Sequence, residues 1–481
     1  MRFTTLAGIL FCSCLCIKSS AQAKWEGGIR LPASEWEEIP QILLAGENGL
    51  VIYHRLPAVE KSETSNWEIE FYDRDLRRVW YTIISMDLYL SVTHQAWFVN
   101  DFYLLFEGTR NLKKVVRVFR MNIIDRSYDT YTIRSFTPST ILKFDILHGS
   151  IVLGGIERIK PSVVLYRFND NRPVILQGLY SNKIDLIGID VDNTNELVSV
   201  MTSFKNTAGK FCIGVRSYDR DGRSIENLVI EPPGDIQLMQ GATKIINSQY
   251  RVTAGVFRSE KSSGAGGIYI SKIDINGSQE NKFHDFNTFL SDIPAGDTVG
   301  ANAMDDNGGL LTRLSWHVSD VTQLDSNPVI LLEGFEEHEQ SSPGLNPRSN
   351  VFYYYKKGLA VVVDDNSSSV RSFEVDMEGL NLEEPQGNLF LIPTDTVTRI
   401  GYFNVTRIGL ANLDTSVSQL TRYFISLPEL SGPDQQNTIY QHHLSGFKPW
   451  FDNTFIYYGI RTDRDEKGES EKSFFLEKIV F

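Results

Sequence analysis

The chain has 481 residues, a formal net charge of -13 at pH 7, 42% hydrophobic residues and 11% aromatic residues. This composition is typical of a folded protein rather than a disordered one. The acidity argues against a nucleic-acid partner and against an anionic membrane surface. No apolar run of 18 residues follows the first 23 residues, so no transmembrane helix is expected.

The N-terminus has the pattern of a secretory signal. Arg2 precedes an apolar run from Leu6 to Ile17, and the small and polar residues that follow end in Ala21-Gln22-Ala23. An A-x-A end after a short apolar run is typical of a cleaved signal peptide, and the run is too short to cross a bilayer. We therefore expect residues 1–23 to be removed and the protein to reach the periplasm or the cell surface.

The cysteines fit this interpretation. Three of the four lie in the predicted signal, and only Cys212 remains in residues 24–481, so no intramolecular disulfide is expected. Lipid anchoring through Cys14 is the less favoured alternative, because Ser13 precedes this cysteine but no Leu begins the lipidation box. Soluble export is the preferred prediction.

Hairpin patterns follow along the rest of the chain. The stretches "EIEFYDRDLRRVWYTI" (68–83), "RSYDRDGRSIENLVI" (216–230) and "IYISKIDINGSQENKFH" (268–284) each place an Asp/Asn/Gly cluster between two runs of β-branched or aromatic residues. Such patterns predict two antiparallel strands joined by a tight turn. Helical periodicity is nearly absent, so the sequence predicts an all-β protein.

These hairpins recur at intervals of about 50 residues, which is the length of a four-stranded propeller blade. The turns lie near Asp73, Asp125, Asp170, Asp219, Asp274 and Asp364, and the last interval, of 90 residues, is long enough to hold one insertion. Eight units can be counted, at 41–85, 94–136, 141–177, 184–230, 242–285, 298–376, 387–427 and 438–481. We predict a single β-propeller domain over residues 24–481 with eight four-stranded blades, seven being the alternative.

The last unit contains three strands, and a fourth near "KWEGGIRL" at the start of the predicted mature chain would complete it. Such closure would protect the open edge of the ring. On this repeat, the chain resembles exported β-propeller proteins in general, along most of its length. The resemblance rests on period and strand pattern, so it implies a fold and no particular activity.

Motifs for metal or cofactor chemistry are missing. The Asp219-Arg220-Asp221-Gly222 stretch has its glycine at the wrong offset for an EF-hand loop, and the turn interpretation is preferred. No zinc-ligand spacing, P-loop or G-x-S-x-G element is present. We therefore predict no metal and no cofactor, and the sequence identifies no catalytic residues.

The segment near 320–350 interrupts the repeat and is predicted to be an insertion. Long segments on a rigid scaffold often carry binding function. Polar and aromatic side chains in and around it could line a ligand pocket, and the candidates are Trp316, His317, Glu333, Glu336, His338 and Tyr354. A solvated acidic loop without a ligand is the alternative.

Three functions remain open at this point. The preferred one is a non-catalytic binding or scaffolding protein whose partner is an unknown protein or glycan. The first alternative is a polysaccharide-active hydrolase or lyase with carboxylates at the mouth of the propeller. The second is an outer-membrane β-barrel, suggested by the terminal "SFFLEKIVF", although Glu477 would interrupt its lipid-facing side.

Overall fold

The structure is a computed structural model. The residues that it describes are 24–58, 62–134, 137–167, 172–246, 248–259, 265–274, 276–286, 314–324, 327–341, 349–363, 370–381, 389–392, 398–404, 407–413, 422–426, 438–441, 445–464 and 470–480. The predicted signal at 1–23 and the turns at Asp170 and Asp364 lie outside these residues.

The strands form eight sheets, which we number as blades 1 to 8. The first strand of the chain is β1 (Lys24–Pro32), and short 3-10 helices span Ala33–Glu35 and Gly46–Asn48. Blade 1 consists of β2 (Gln41–Leu44), β3 (Leu50–Arg55), β4 (Thr64–Tyr72) and β5 (Arg78–Asp87). Blade 2 consists of β6 (Ser91–Phe98), β7 (Asp101–Arg110), β8 (Lys113–Asn122) and β9 (Tyr128–Ile133). Blade 3 consists of β10 (Thr140–Leu147), β11 (Ser150–Glu157), β12 (Lys160–Arg167) and β13 (Pro173–Ile175).

The next three blades follow in chain order. Blade 4 consists of β14 (Ile184–Asp192), β15 (Leu197–Lys205), β16 (Phe211–Asp219) and β17 (Ser224–Ile230). Blade 5 consists of β18 (Ile236–Ile246), β19 (Tyr250–Ser259), β20 (Gly267–Asp274) and β21 (Gln279–Asp285). Blade 6 consists of β22 (Ser315–Leu324), β23 (Asn327–Ser341), β24 (Ser349–Val363) and β25 (Val370–Asn381).

Blade 7 consists of β26 (Leu389–Ile392), β27 (Thr398–Asn404), β28 (Arg407–Leu413) and β29 (Arg422–Ser426). Blade 8 contains β30 (Thr438–Tyr440), β31 (Gly446–Pro449), β32 (Thr454–Arg464) and β33 (Ser470–Val480). In blades 1 to 7 each strand pairs antiparallel with the next, giving a separate four-stranded sheet. The predicted eight-bladed propeller is confirmed, and the alternatives of seven blades and of one closed barrel sheet are wrong.

Blade 8 closes the ring by joining the two ends of the described chain. Its outermost strand is β1, which pairs antiparallel with β33 from Lys24 opposite Val480 to Pro32 opposite Ser473. The register shifts between Trp25 and Gly28, where the strand carries two successive glycines. The last blade is thus completed by the strand near the start of the chain, as the sequence predicted, and this pairing protects an edge that would otherwise be open.

The core lies between neighbouring blades, because both faces of each blade are covered. Between blades 1 and 2, Trp67 packs edge-on against Phe106 with their ring centroids 5.4 Å apart. Between blades 5 and 6, Trp316 and Phe286 pack with centroids 5.4 Å apart. Strands buried on both faces explain the continuous apolar runs in the sequence, such as "LAVVV" at 359–363.

Antiparallel strands place the turns of each blade at two opposite ends of the ring. Turns between the second and third strands lie at one end, which we call the upper face. Turns between the first and second strands, and between the third and fourth, lie at the other end, the lower face. This assignment determines which loops can act together.

The Asp219 turn lies on the lower face, between β16 and β17, and the turn interpretation is confirmed. The Oδ1 atom of Asp219 accepts hydrogen bonds from the backbone N–H groups of Asp221 and Arg223, both at 2.8 Å. Gly222 has a φ of 76°, which glycine adopts without steric cost. The aspartate therefore completes the turn itself.

No helix in the described part of the chain has the length and apolar character needed to span a membrane.

Candidate functional site

Blade 6 carries a hairpin that extends past its own sheet on the upper face. In the described residues, β22 begins opposite Phe335 and β25 ends opposite Tyr353. Beyond these pairs, residues 336–341 of β23 and 349–352 of β24 continue to pair with each other. We call the paired segments 336–341 and 349–352, together with residues 353–356 at their base, the blade-6 arm. The described residues of the segment predicted as an insertion, 320–350, thus run from β22 through this arm.

Three of the six candidate residues meet on the blade-6 arm. The rings of His338 and Tyr354 are in edge contact, with centroids 4.7 Å apart. The Oε2 atom of Glu336 lies 3.5 Å from His338 Nε2 and 3.8 Å from Lys356 Nζ. About half of each of the His338 and Glu336 side chains is exposed, at 58% and 44%. Exposed ion pairs of this kind add little stability, so the group is free to exchange these contacts for a ligand.

The other three candidates lie inside the blade. Trp316 is buried in the core between blades 5 and 6. Glu333 is fully buried, and its Oε1 accepts a 2.6 Å hydrogen bond from the backbone N–H of Leu389 in blade 7. His317 lies opposite Glu333 on the neighbouring strand, and burial lowers its pKa. The six residues therefore form an exposed group of three on the arm and a second group within the blade, in which Trp316 and Glu333 are buried and His317 is half-buried.

A second group of charges, which the sequence did not indicate, lies along the central channel. The innermost strands of blades 2 to 6 each contain a β-bulge. One residue is left unpaired in blades 2, 3, 4 and 6, and two are left unpaired in blade 5. Bulges re-aim side chains. Because neighbouring blades cover both faces of an inner strand, an exposed side chain there faces the channel. Leu142 and Met239 at these bulges are 48% and 38% exposed.

Next to the bulges, lysines and aspartates lie on the innermost strands of blades 3 to 6. Lys143 Nζ lies 3.1 Å from Asp145 Oδ2, and Lys244 Nζ lies 3.5 Å from Asp320 Oδ1. Between them is Asp190, whose pKa burial raises to about 6, against the opposing charges of Lys244 and Lys143. A carboxyl group that titrates near neutral pH is able to accept or donate a proton there.

The buried side chain of Arg251 lies next to this part of the wall. Its Nε lies 2.9 Å from Glu226 Oε2, and its two terminal nitrogens donate to Ser199 and Ser217 at 2.9 and 2.8 Å. Ser199 pairs with Asp190 in the sheet. Arg251 belongs to blade 5 and these three partners belong to blade 4, so this buried network joins the two blades.

A third polar group is buried on the face of blade 1 that packs against blade 8. His54 is 1% exposed, and its Nε2 lies 3.5 Å from Glu68 Oε2. Burial lowers the pKa of His54 and raises that of Glu68. Glu70 accepts hydrogen bonds from the Tyr72 hydroxyl and from Arg78, the latter at 3.0 Å. We assign this enclosed group a structural role.

No group of three or more His, Cys, Asp and Glu side chains that could hold a metal ion occurs among the described residues. Cys212 is a buried free thiol, and burial raises its pKa, so its reactive thiolate is disfavoured.

Comparisons with known proteins found likeness to solved structures and no sequence family. No family model matches the chain, and no curated protein matches it. The propeller domain of the Trilobed protease from Pyrococcus furiosus is 10% identical, with a TM-score of 0.38 over 80% of this chain and 93% of that one. The polysaccharide lyase Uly1 is 10% identical, with a TM-score of 0.40 over 92% and 99%. The Dos1 propeller is 10% identical, with a TM-score of 0.38 over 80% and 90%. Likeness at this level carries no conclusion about activity.

Proposed function

We propose that this protein is an exported, non-catalytic binding or scaffolding protein of the periplasm or cell surface, in which the ring presents the blade-6 arm to a partner. The observation that carries the proposal is an exposed polar group on a hairpin that extends beyond its sheet and at the base of that hairpin, formed by Glu336, His338, Tyr354 and Lys356. Functional residues are often placed on such extensions of a rigid scaffold. A carboxylate, an imidazole, an ammonium and a phenol together suit a polar protein or glycan surface.

Site-specific photo-cross-linking in living cells tests the proposal. A photoreactive residue at position 337, which is exposed on the arm, should give a discrete covalent adduct with a macromolecule. The same residue at position 124, which is 70% exposed on the lower face, should not give that adduct. The combined E336Q, H338A and Y354A changes should abolish the adduct at 337 without changing the far-UV circular dichroism. Identical adducts from positions 337 and 124 would refute a binding role for the arm.

Export has its own test. The protein recovered from the periplasmic or surface fraction should begin at Lys24, after Ala21-Gln22-Ala23. N-terminal sequencing of the purified protein measures this directly. An intact Met1 in the cytoplasmic fraction would count against export, and a lipid on Cys14 would convert soluble export into membrane anchoring.

A polysaccharide-active enzyme is the second candidate, and Asp190 is the observation in its favour. A carboxyl with a pKa of about 6 beside Lys143 and Lys244 on the channel wall has the properties of a general acid or base. If this candidate is correct, purified protein should depolymerise a polysaccharide, D190N should abolish the activity, and H338A should leave it unchanged. Retention of that activity in D190N would exclude Asp190 as its acid or base.

A further inference from the structure

The upper face carries two hairpin tips with an unusual composition. The turn between β7 and β8 in blade 2 presents Leu112, which is 99% exposed, and the turn between β11 and β12 in blade 3 presents Ile159, which is 74% exposed. Two-residue hairpin turns normally use glycine or asparagine where φ is positive. Here φ is 62° at Leu112 and 114° at Ile159. Neither the folding of the hairpin nor solubility accounts for a bulky apolar residue at these two positions.

The two tips are neighbours, linked by hydrogen bonds through the loop between blades 2 and 3. Lys114 Nζ donates to the backbone carbonyls of Pro138 and Ser139 at 3.2 and 3.0 Å. The Ser139 hydroxyl donates to the Ile156 carbonyl at 2.8 Å and accepts from the Arg158 N–H at 3.3 Å. Leu112 and Ile159 therefore protrude side by side from one surface.

Basic residues flank both tips. They are Arg110, Lys113, Lys114, Arg158 and Lys160. Two acids partly offset them, because Glu107 lies within ion-pair distance of Lys114 and Glu157 lies 3.8 Å from Arg158. The local balance is still positive in a chain whose net charge is -13.

An exposed aromatic residue completes the surface. Tyr180, in the loop between blades 3 and 4, is 51% exposed, and Lys160 Nζ lies 4.4 Å from the centroid of its ring. Tyrosine beside lysine is a combination that favours the boundary between water and lipid, where the ring is half buried and the ammonium meets phosphate.

We propose that these tips dock the propeller on an anionic lipid bilayer, with Leu112 and Ile159 entering the headgroup region and the flanking cations contacting lipid phosphates. Projecting apolar residues surrounded by cations match a soft anionic surface, since apolar insertion and attraction to the leaflet then act together. This surface lies in blades 2 and 3, so the proposal goes beyond the function assigned to the blade-6 arm and does not depend on it.

Vesicle co-sedimentation of the full chain tests the proposal. Wild-type protein should bind vesicles of phosphatidylcholine mixed with phosphatidylglycerol, and should bind vesicles of phosphatidylcholine alone much more weakly. The double variant L112D/I159D should bind the mixed vesicles at least about tenfold more weakly, because two apolar contacts become two like charges. The matched control is I124D, which changes an apolar residue on the lower face that is 70% exposed, close to the 74% of Ile159, and should bind like wild type.

Two further measurements decide between sources of negative charge. Raising the salt concentration should weaken vesicle binding of the wild type, because the cationic contacts are screened. Soluble polyphosphate should bind the wild type no better than it binds L112D/I159D, once the two added negative charges of that variant are allowed for. The variant L112N/I159N, which adds no charge, provides the reference for this correction. Vesicle binding that is unchanged in L112N/I159N, or that polyphosphate displaces completely, would overturn the bilayer proposal and leave a polyanion site.

Discussion

Three turns of the lower face and two of the upper face are built from the same antiparallel strands but differ in chemistry. On the lower face, Asp73, Asp219 and Asp274 each accept two backbone N–H groups through one carboxylate oxygen, at 2.8 to 2.9 Å. On the upper face, the hairpins of blades 2 and 3 present Leu112 and Ile159, whose side chains have no polar atom with which to satisfy the turn.

This difference separates residues that the fold requires from residues that it tolerates. An aspartate that closes its own turn has a sufficient structural reason to be there. An isoleucine with a φ of 114° opposes the local backbone preference, so its reason lies outside the turn. The repeated Asp residues are the more conspicuous feature of the sequence, whereas the turns that lack them are more informative about function.

The largest effect expected from this comparison is the loss of a lower-face aspartate. D219A removes two hydrogen bonds to a charged acceptor and should lower the free energy of unfolding by about 1–3 kcal/mol. D219N keeps the Oδ1 acceptor and should cost less. Urea titration followed by tryptophan fluorescence measures both. A change at an exposed upper-face tip, L112A, should stay within about 0.5 kcal/mol of wild type.

A smaller effect of opposite sign is expected at the upper-face tips. Replacing Ile159 or Leu112 with glycine relieves a positive φ and should raise the free energy of unfolding by about 0.5–1 kcal/mol, more for Ile159 because it is β-branched. The same variants should bind anionic vesicles less well. Thr207, in the corresponding hairpin of blade 4, does not have a positive φ, so T207G should give no gain. A gain in T207G equal to that in I159G would remove strain as the explanation.

The smallest expected effect is a pH dependence confined to the lower face. Hydrogen bonds from the hydroxyl and the N–H of Ser127 lower the pKa of Asp125 from its ordinary value of 3.8. A carboxyl with a lowered folded-state pKa contributes stability above 3.8 that is lost as the pH falls through the folded value. S127A should therefore reduce the loss of stability on acidification. Thermal unfolding of both proteins between about pH 5 and about pH 2 measures this loss of stability. An equal acid response in both proteins would show that the pair does not contribute.

The sequence predicted the architecture because each blade repeats a local signal. Unit 184–230 coincides with blade 4, from the start of β14 to the end of β17. The completion of blade 8 by the strand at Lys24–Pro32 was also predictable, since a three-stranded last unit leaves a free edge. Turn spacing and alternation act over short distances, so they can be read without knowing the tertiary structure.

The site residues were predicted only in part, and alternation explains the difference. Trp316 stands two residues from both Leu314 and Val318, so period-two alternation places all three on the same core face. Glu333 had no such signal, because its acceptance of the Leu389 N–H depends on how blade 7 packs against blade 6. The charges on the channel wall come from several blades, so no linear motif contains them.

The net charge of the whole chain did not indicate the basic and apolar surface at the upper-face tips. A value of -13 averages over all loops, whereas a binding surface depends on the loops of one end only. Counting strands from the start of each blade assigns every turn to a face, and this would separate Leu112 and Ile159, with their flanking cations, from the aspartate turns. The expectation that acidity disfavours an anionic membrane therefore applies to the whole molecule and not to this surface.

The pairing of β1 with β33 also determines the order in which the protein can be completed. During synthesis β1 is made well before its partner β33, because the strands of blades 1 to 7 lie between them in the chain. Contacts of such long sequence separation form slowly. Until they form, the unpaired strand edges favour association with other chains. A chain that stops before residue 470 would lack β33 and leave both β1 and β32 with an open edge. Ring closure thus requires that synthesis has passed β33.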